Sequence, residues 1–132
     1  MDDCDCCSTT YILGACAIAF IAFLLNKLYF SGGVCKSTRR LDGKTAIITG
    51  SNTGIGKETA LDLAKRGARV ILACRDIKKA NEVAEEIRKL SGNGNVIVEK
   101  LDLASLESVR SFAEKINKQE DKINILINNA GM

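Results

Sequence analysis

The sequence predicts an α/β fold: the N-terminal part of a doubly wound parallel sheet, preceded by one transmembrane helix. Three observations carry that expectation. Residues 11–30 form an almost unbroken apolar run. From residue 45 onward, short apolar segments alternate with longer ones of helical periodicity. The first of those short segments runs into a glycine-rich turn, Thr49-Gly50-Ser51-Asn52-Thr53-Gly54-Ile55-Gly56-Lys57. Strands that are apolar throughout, separated by helices, imply a parallel sheet covered by helices.

The chain has 132 residues, room for one domain at most. Residues 1–10 read as a short acidic tail with Asp2, Asp3 and Asp5. Residues 11–30 read as a membrane anchor, since twenty residues of helix span about 30 Å, the thickness of a hydrocarbon core. Lys27 near its end can extend to the interface, and Tyr29 suits that depth. The rival is a cleaved signal peptide, with Ser31-Gly32-Gly33 as the small residues at a cut. A signal peptide needs a basic leading region, and this tail is acidic. A core helix apolar on every side would be unusual in so small a protein. Lys27, Lys36, Arg39, Arg40 and Lys44 all lie near or beyond the end of the run, and no basic residue precedes it. The positive-inside rule therefore puts the following part in the cytosol. Residues 31–40 are a basic linker, with Gly32-Gly33 for flexibility.

Residues 41–132 are expected to form a partial dinucleotide-binding domain of the Rossmann type. Its first strand is Thr45–Thr49, followed by a helix from Gly54 to Arg66 that stops at Gly67. Arg69–Ala73 is the second strand. The second helix starts near Asp76, a plausible N-cap, and places Ala80, Val83, Ala84, Ile87 and Leu90 on one face. Residues 91–95 form a loop with Gly92 as C-cap. Val96–Val98 is the third strand. The third helix, capped near Ser105, is expected to bury Leu106, Val109, Phe112, Ala113 and Ile116. Ile123–Ile127 is the fourth strand. Right-handed crossovers put the first two of these helices on one face of the sheet and the third on the other.

The glycine turn has the layout of a phosphate site between strand and helix: Gly50 for the tight turn, Gly54 for close approach of a pyrophosphate, Gly56 for close helix packing. An ATP-binding P-loop is excluded, because its first glycine falls at Ser51 and its metal-binding hydroxyl at Glu58. With Asn128-Asn129-Ala130-Gly131 after the fourth strand, the G-x-x-x-G-x-G spacing resembles the short-chain dehydrogenase/reductase family. The resemblance covers residues 41–132. It implies an NADP(H)- or NAD(H)-dependent oxidoreductase. The cofactor contacts it implies are the whole stretch Gly50, Ser51, Asn52, Thr53, Gly54, Ile55, Gly56 and Lys57, then Asp102 and Leu103 beside the adenine, and Asn129, Ala130 and Gly131 along the cofactor.

The residue after the second strand selects the cofactor: acidic for the ribose hydroxyls of NAD, basic for the 2′-phosphate of NADP. Here Arg75 is read as the phosphate clamp and Asp76 as the helix cap, with Lys57 adding charge nearby. The competing reading of Arg75 is a solvated side chain, and that of Asp102 a turn residue. The N-terminal anchor, the basic linker, Leu41-Asp42-Gly43-Lys44 and the glycine turn, together with Ala73-Cys74-Arg75-Asp76, resemble the membrane-anchored retinol dehydrogenase branch. That branch implies an apolar alcohol or aldehyde substrate and the endoplasmic reticulum membrane, with the soluble part facing the cytosol. The family's catalytic tyrosine, four residues before a lysine, has no counterpart here. Tyr11 and Tyr29 both lie in the apolar run, so no catalytic residue is assigned and the chain is expected to be truncated before them. The alternative is a non-catalytic, membrane-tethered nucleotide-binding or interaction protein.

Composition narrows the field. A net charge of +3, with the basic excess near the start, makes no case for nucleic acid. The absence of histidine removes imidazole metal sites and Ser-His-Asp triads, and no metal site is expected. Six scattered cysteines are not a disulfide framework and read as free thiols, with acylation of Cys4, Cys6 and Cys7 as the rival.

Overall fold

The structure is a computed structural model that describes residues 5–27, 32 and 37–131. It divides into two units, Met1–Ser37 and Thr38–Met132. Among its described residues the first contains one helix, α1 (Asp5–Leu25). Its side chains are described from Tyr11 on, and all are exposed, Ile12, Leu13, Ile18, Phe20 and Phe23 among them. Among the described residues no helix is long and apolar enough to cross a membrane. Residues 28–30 of the expected span lie outside the described residues, as do 1–4 of the tail and 31 and 33–36 of the linker.

The second unit runs β1 (Thr45–Thr49), α2 (Gly54–Lys65), β2 (Arg69–Cys74), α3 (Ile77–Ser91), β3 (Val96–Lys100), α4 (Leu106–Gln119) and β4 (Ile125–Ile127). The four strands are parallel in the order β3-β2-β1-β4. Thr45–Thr49 lie opposite Arg69–Ala73, and Ala46–Ile48 opposite Ile125–Ile127. Every residue of β1 is buried, as a central strand covered on both faces requires.

Successive side chains point to opposite faces and build two cores. Ile48, Val70, Leu72 and Cys74 meet α2 and α3, whose contact residues include Ala60, Ala64, Ala80 and Ala84. These small side chains let both helices lie close to the sheet. Ile47, Ile71 and Ala73 meet Leu101 and Ile116, with Val109 and Phe112 of α4 packed against them. The expected distribution of helices, two on one face and one on the other, is therefore present. Burying a side chain the size of Ile48 or Leu72 contributes about 1.5–3 kcal/mol.

The caps fall where the sequence places them. Asp76 Oδ1 accepts the Lys79 N–H at 3.1 Å and opens α3. Gly92, at φ 67°, closes it. Ser105 Oγ accepts the Ser108 N–H at 3.3 Å and opens α4.

Several details differ from expectation. β3 runs two residues past Val98, to Lys100. Leu106 (73% exposed) and Ala113 are not buried. They lie seven residues apart on one flank of α4, and the face carrying Val109, Phe112 and Ile116 is the one that meets the sheet. Leu90 is also exposed, because Ile87 is the last residue of its stripe to reach the core. The fourth strand starts at Ile125, two residues late. The Asn124 side-chain carbonyl accepts the Thr45 N–H at 3.0 Å, while the Asn124 N–H donates to Thr45 O at 3.0 Å. A side chain thus takes one ladder position. β4 lies at an edge of the sheet with Leu126 59% exposed, since α4 covers the β3–β2 side of that face.

The end of the sheet where strands begin is pinned by side chains. The buried Glu120 carboxylate accepts from Arg69 Nε at 2.9 and 3.0 Å and from Thr45 Oγ1 at 3.3 Å. Asn93 Nδ2 donates to Ala64 O at 3.0 Å and to Ala68 O at 2.8 Å. Hydrogen bonds from Arg40 hold the exposed Asp42 carboxyl below its ordinary pKa.

Candidate functional site: a cavity across four strand ends

At the other end, where the strands finish, lies an open cavity of about 680 Å³. Four segments line it, one after each strand: Thr49, Gly50, Asn52 and Thr53; Ala73, Arg75 and Asp76; Leu101 to Ala104; and Asn129 to Gly131. A crevice outside the carboxyl ends of parallel strands is the place where open α/β sheets bind ligands.

The glycine turn is shaped by what packs behind it. Gly50 sits at φ +63°, and a Cβ there would lie 2.9 Å from Ala130 Cα. A Cβ on Gly56 would lie 2.5 Å from Asn129 Nδ2 and 3.0 Å from Gly50 O. The turn and the Asn129 segment are therefore in mutual contact, and neither glycine has room for a side chain. At Gly54 a Cβ would meet nothing within 4 Å, so the turn is open to an approaching group there.

Thr49 and Asn129 join the two segments. Thr49 Oγ1 accepts the N–H groups of Asn129 at 3.1 Å and Ala130 at 3.0 Å. Asn129 Nδ2 donates to Thr49 O at 3.1 Å and Gly50 O at 3.2 Å. The carbonyls of Thr49 and Gly50 are thus occupied, and the Gly50 N–H is itself spent on Ala73 O at 2.9 Å. At the start of α2, Thr53 is the N-cap and makes no side-chain cap hydrogen bond. Asp76 and Ser105 do cap α3 and α4. Uncapped N–H groups at a helix start, beside a glycine turn, form an anion-binding arrangement.

At the rim, Arg75 and Asp76 have different tasks. Asp76 is committed to the Lys79 N–H, whereas Arg75 is exposed and makes no ion pair among the described residues. Asp102 lines the cavity and also orders its own turn, with Oδ1 accepting the Ala104 N–H at 3.0 Å. Asp102 is thus a turn residue that also stands at the cavity.

Of the residues expected at the site, Gly50, Asn52, Thr53, Arg75, Asp102, Leu103, Asn129, Ala130 and Gly131 come together around the cavity. Ser51, Gly54, Ile55, Gly56 and Lys57 do not line it. Ser51 is fully buried beneath the turn, its Oγ donating to Ile48 O at 3.1 Å. Ile55 is 81% exposed. The Lys57 ammonium is held by the Glu86 carboxylate of α3 at 2.7 Å, so its charge is already matched there. Asn128 is exposed and off the cavity. Thr49 was not singled out by sequence, although a hydroxyl ending a fully buried strand was its signal. Ala73, Leu101 and Ala104 carry no such signal.

The model of the short chain dehydrogenase family matches residues 44–132. The chain belongs to the short-chain dehydrogenase family. Within it, the chain is 54% identical over 109 residues to mouse retinol dehydrogenase 13, covering 83% of this chain and 33% of that protein. It is 55% identical over 102 residues to human retinol dehydrogenase 11, covering 77% and 32%. The chain thus spans about a third of the length of these relatives. Among solved structures, a hydroxysteroid dehydrogenase from Escherichia coli is 39% identical with a TM-score of 0.65, over 72% of this chain and 40% of that one. A putative short chain dehydrogenase from Escherichia coli CFT073, complexed with NADPH, is 30% identical with a TM-score of 0.67, over 73% and 40%. Membership of the short-chain dehydrogenases agrees with the four-segment cavity and with the glycine turn set against Asn129.

Proposed function

We propose that this chain supplies the cofactor-binding part of an NADP(H)-dependent oxidoreductase acting on retinol and retinal or another apolar alcohol and carbonyl compound. The observation that carries the cofactor choice is the division of labour at the rim. The Asp76 carboxylate is occupied as a helix cap, and Arg75 is the one basic side chain among the residues lining the cavity. An acidic group aimed at the ribose would repel a 2′-phosphate, and a guanidinium attracts it. The cradle fits the rest of a dinucleotide: open space over Gly54 and uncapped N–H groups of α2 for the pyrophosphate, and the Asp102–Leu103 turn for the adenine. When bound, the nicotinamide supplies hydride transfer. These residues bind and orient it, while proton transfer to the substrate belongs to residues outside this set.

The substrate class rests on the identity to retinol dehydrogenases. The apolar run Tyr11–Phe30 serves as a membrane anchor at the endoplasmic reticulum, with the basic residues after it on the cytosolic side. An enzyme tethered at a bilayer meets apolar substrates where they dissolve.

The cofactor reading is tested by titrating the full chain in detergent with NADPH and NADH, before and after Arg75→Asp. A charge-assisted bond contributes about 1.5–3 kcal/mol, so the substitution should weaken NADPH tenfold to hundredfold and leave NADH nearly unchanged. Equal loss for both nucleotides would show that Arg75 does not hold the 2′-phosphate.

A further inference from the structure

Parallel strands begin at one end of a sheet, and the helices that return between them finish there. That end of the domain, opposite the cavity, gathers the joining segment 38–44, the last turns of α2, α3 and α4, and the loops before each strand. Four of its arginines are matched by acids: Arg40 with Asp42, Arg66 with Asp62, Arg69 with Glu120 and Arg88 with Glu85. Its lysines are not. Lys44, Lys65, Lys89, Lys118 and Lys122 are all exposed and make no ion pair among the described residues. Among the described residues of this end, Asp121 is the one unpaired acid set against them. Five lysines set against one acid make this end of the domain locally basic.

Two large apolar side chains stand directly beside these lysines. Leu90, next to Lys89, is 58% exposed, and Ile123, next to Lys122, is 41% exposed. Lysines in a last helical turn also complement the helix dipole, which accounts for Lys65, Lys89 and Lys118. It does not account for Lys44 and Lys122, which lie in loops, or for the bare leucine and isoleucine. Lysines interleaved with exposed apolar side chains match a bilayer surface, with phosphates outside and acyl chains beneath. Leu41 donates its N–H to Arg66 O, so the segment arriving from the apolar helix joins the domain at this same end.

We infer that the strand-start end of the domain, through Lys44, Lys65, Lys89, Lys118 and Lys122 with Leu90 and Ile123, docks on an anionic phospholipid surface. The cavity then faces away from the headgroups, open to a water-soluble nucleotide. This extends the anchor reading, and the two can fail separately.

The chain has no tryptophan, so Leu90→Trp places a single indole on the proposed surface. Leu106→Trp, at the first residue of α4, places one at the opposite end as a control. Each full chain is reconstituted with vesicles of phosphatidylcholine, with or without phosphatidylserine, carrying brominated acyl chains as quenchers. Quenching should be several-fold stronger for Leu90→Trp than for Leu106→Trp, and only with phosphatidylserine present. Each lysine near an anionic surface contributes about fivefold to partitioning. Adding Lys65→Glu, Lys89→Glu, Lys118→Glu and Lys122→Glu together should therefore abolish the quenching. Should that variant fail to fold, 0.5 M salt applied to Leu90→Trp alone should remove most of it.

Equal quenching at both ends, no dependence on phosphatidylserine, or insensitivity to salt would overturn the proposal. So would salt-sensitive binding of an RNA oligonucleotide without any lipid quenching. Resistance to alkaline carbonate extraction reports on α1 separately. A chain that resists extraction without quenching sinks the docking surface, and quenching in a chain that is extracted sinks the anchor.

Discussion

Replacing Thr49 by valine removes one oxygen and keeps the branched shape. That oxygen accepts two backbone N–H groups, from Asn129 at 3.1 Å and Ala130 at 3.0 Å. Its own hydrogen reaches Ile127 O at 3.5 Å, the limit of a useful contact. A hydrogen bond contributes about 0.5–1.5 kcal/mol net, so two amount to roughly 1–3 kcal/mol. Asn129 is half-buried and Ala130 exposed, so water can reach part of what is freed, and the lower half of that range applies. With a urea slope of about 1–2 kcal/mol/M, the unfolding midpoint should fall by roughly 1 M. The assay is urea unfolding of the full chain in detergent, followed by circular dichroism, with an NADPH titration beside it. Thr49→Ser is the control, because it keeps the hydroxyl. The valine variant should lose both stability and nucleotide affinity, since the same two bonds hold the Asn129–Gly131 segment against the glycine turn. Equal midpoints and affinities for the valine and serine variants would refute the reasoning.

Gly56→Ala forces a methyl group towards Asn129 Nδ2 and Gly50 O, and should cost about 1–3 kcal/mol with a clear loss of NADPH binding in the same titration. Asp76→Ala removes the N-cap of α3 and should lower stability by about 1 kcal/mol while leaving NADPH preferred over NADH. Leu106→Ser, at a position 73% exposed, should change the unfolding free energy by less than about 0.5 kcal/mol, whereas Ile116→Ala on the same helix should cost about 2–5 kcal/mol.

The strands were legible in the sequence because burial on both faces leaves a continuous apolar run, as in Thr45–Thr49 and Arg69–Cys74. The helix ends were legible where a cap residue marks them, as at Asp76, Gly92 and Ser105. Burial was less so. Periodicity shows that a helix has an apolar stripe, but not how far the sheet beneath it extends, and Leu90, Leu106 and Ala113 fell beyond its reach. The start of the fourth strand was hidden because the Asn124 side chain stands in for backbone pairing, a choice that depends on Thr45 being opposite. The cavity was legible in outline from two short motifs. What joins them was not, because the bonds between Thr49 and Asn129 span 80 residues of sequence. Lys57 looked like a phosphate ligand only while its partner Glu86, on another helix, was out of sight.

The central claim is that the four strand ends form an NADP(H) site. Hydrogen exchange of the full chain, with and without saturating NADPH, tests it most directly. The account predicts protection at residues 50–57, around Arg75, at 101–104 and at 129–131, with NADH giving the same pattern only at tenfold to hundredfold higher concentration, as one charge-assisted bond of about 1.5–3 kcal/mol requires. Protection elsewhere, or an identical response to both nucleotides at equal concentration, would contradict it.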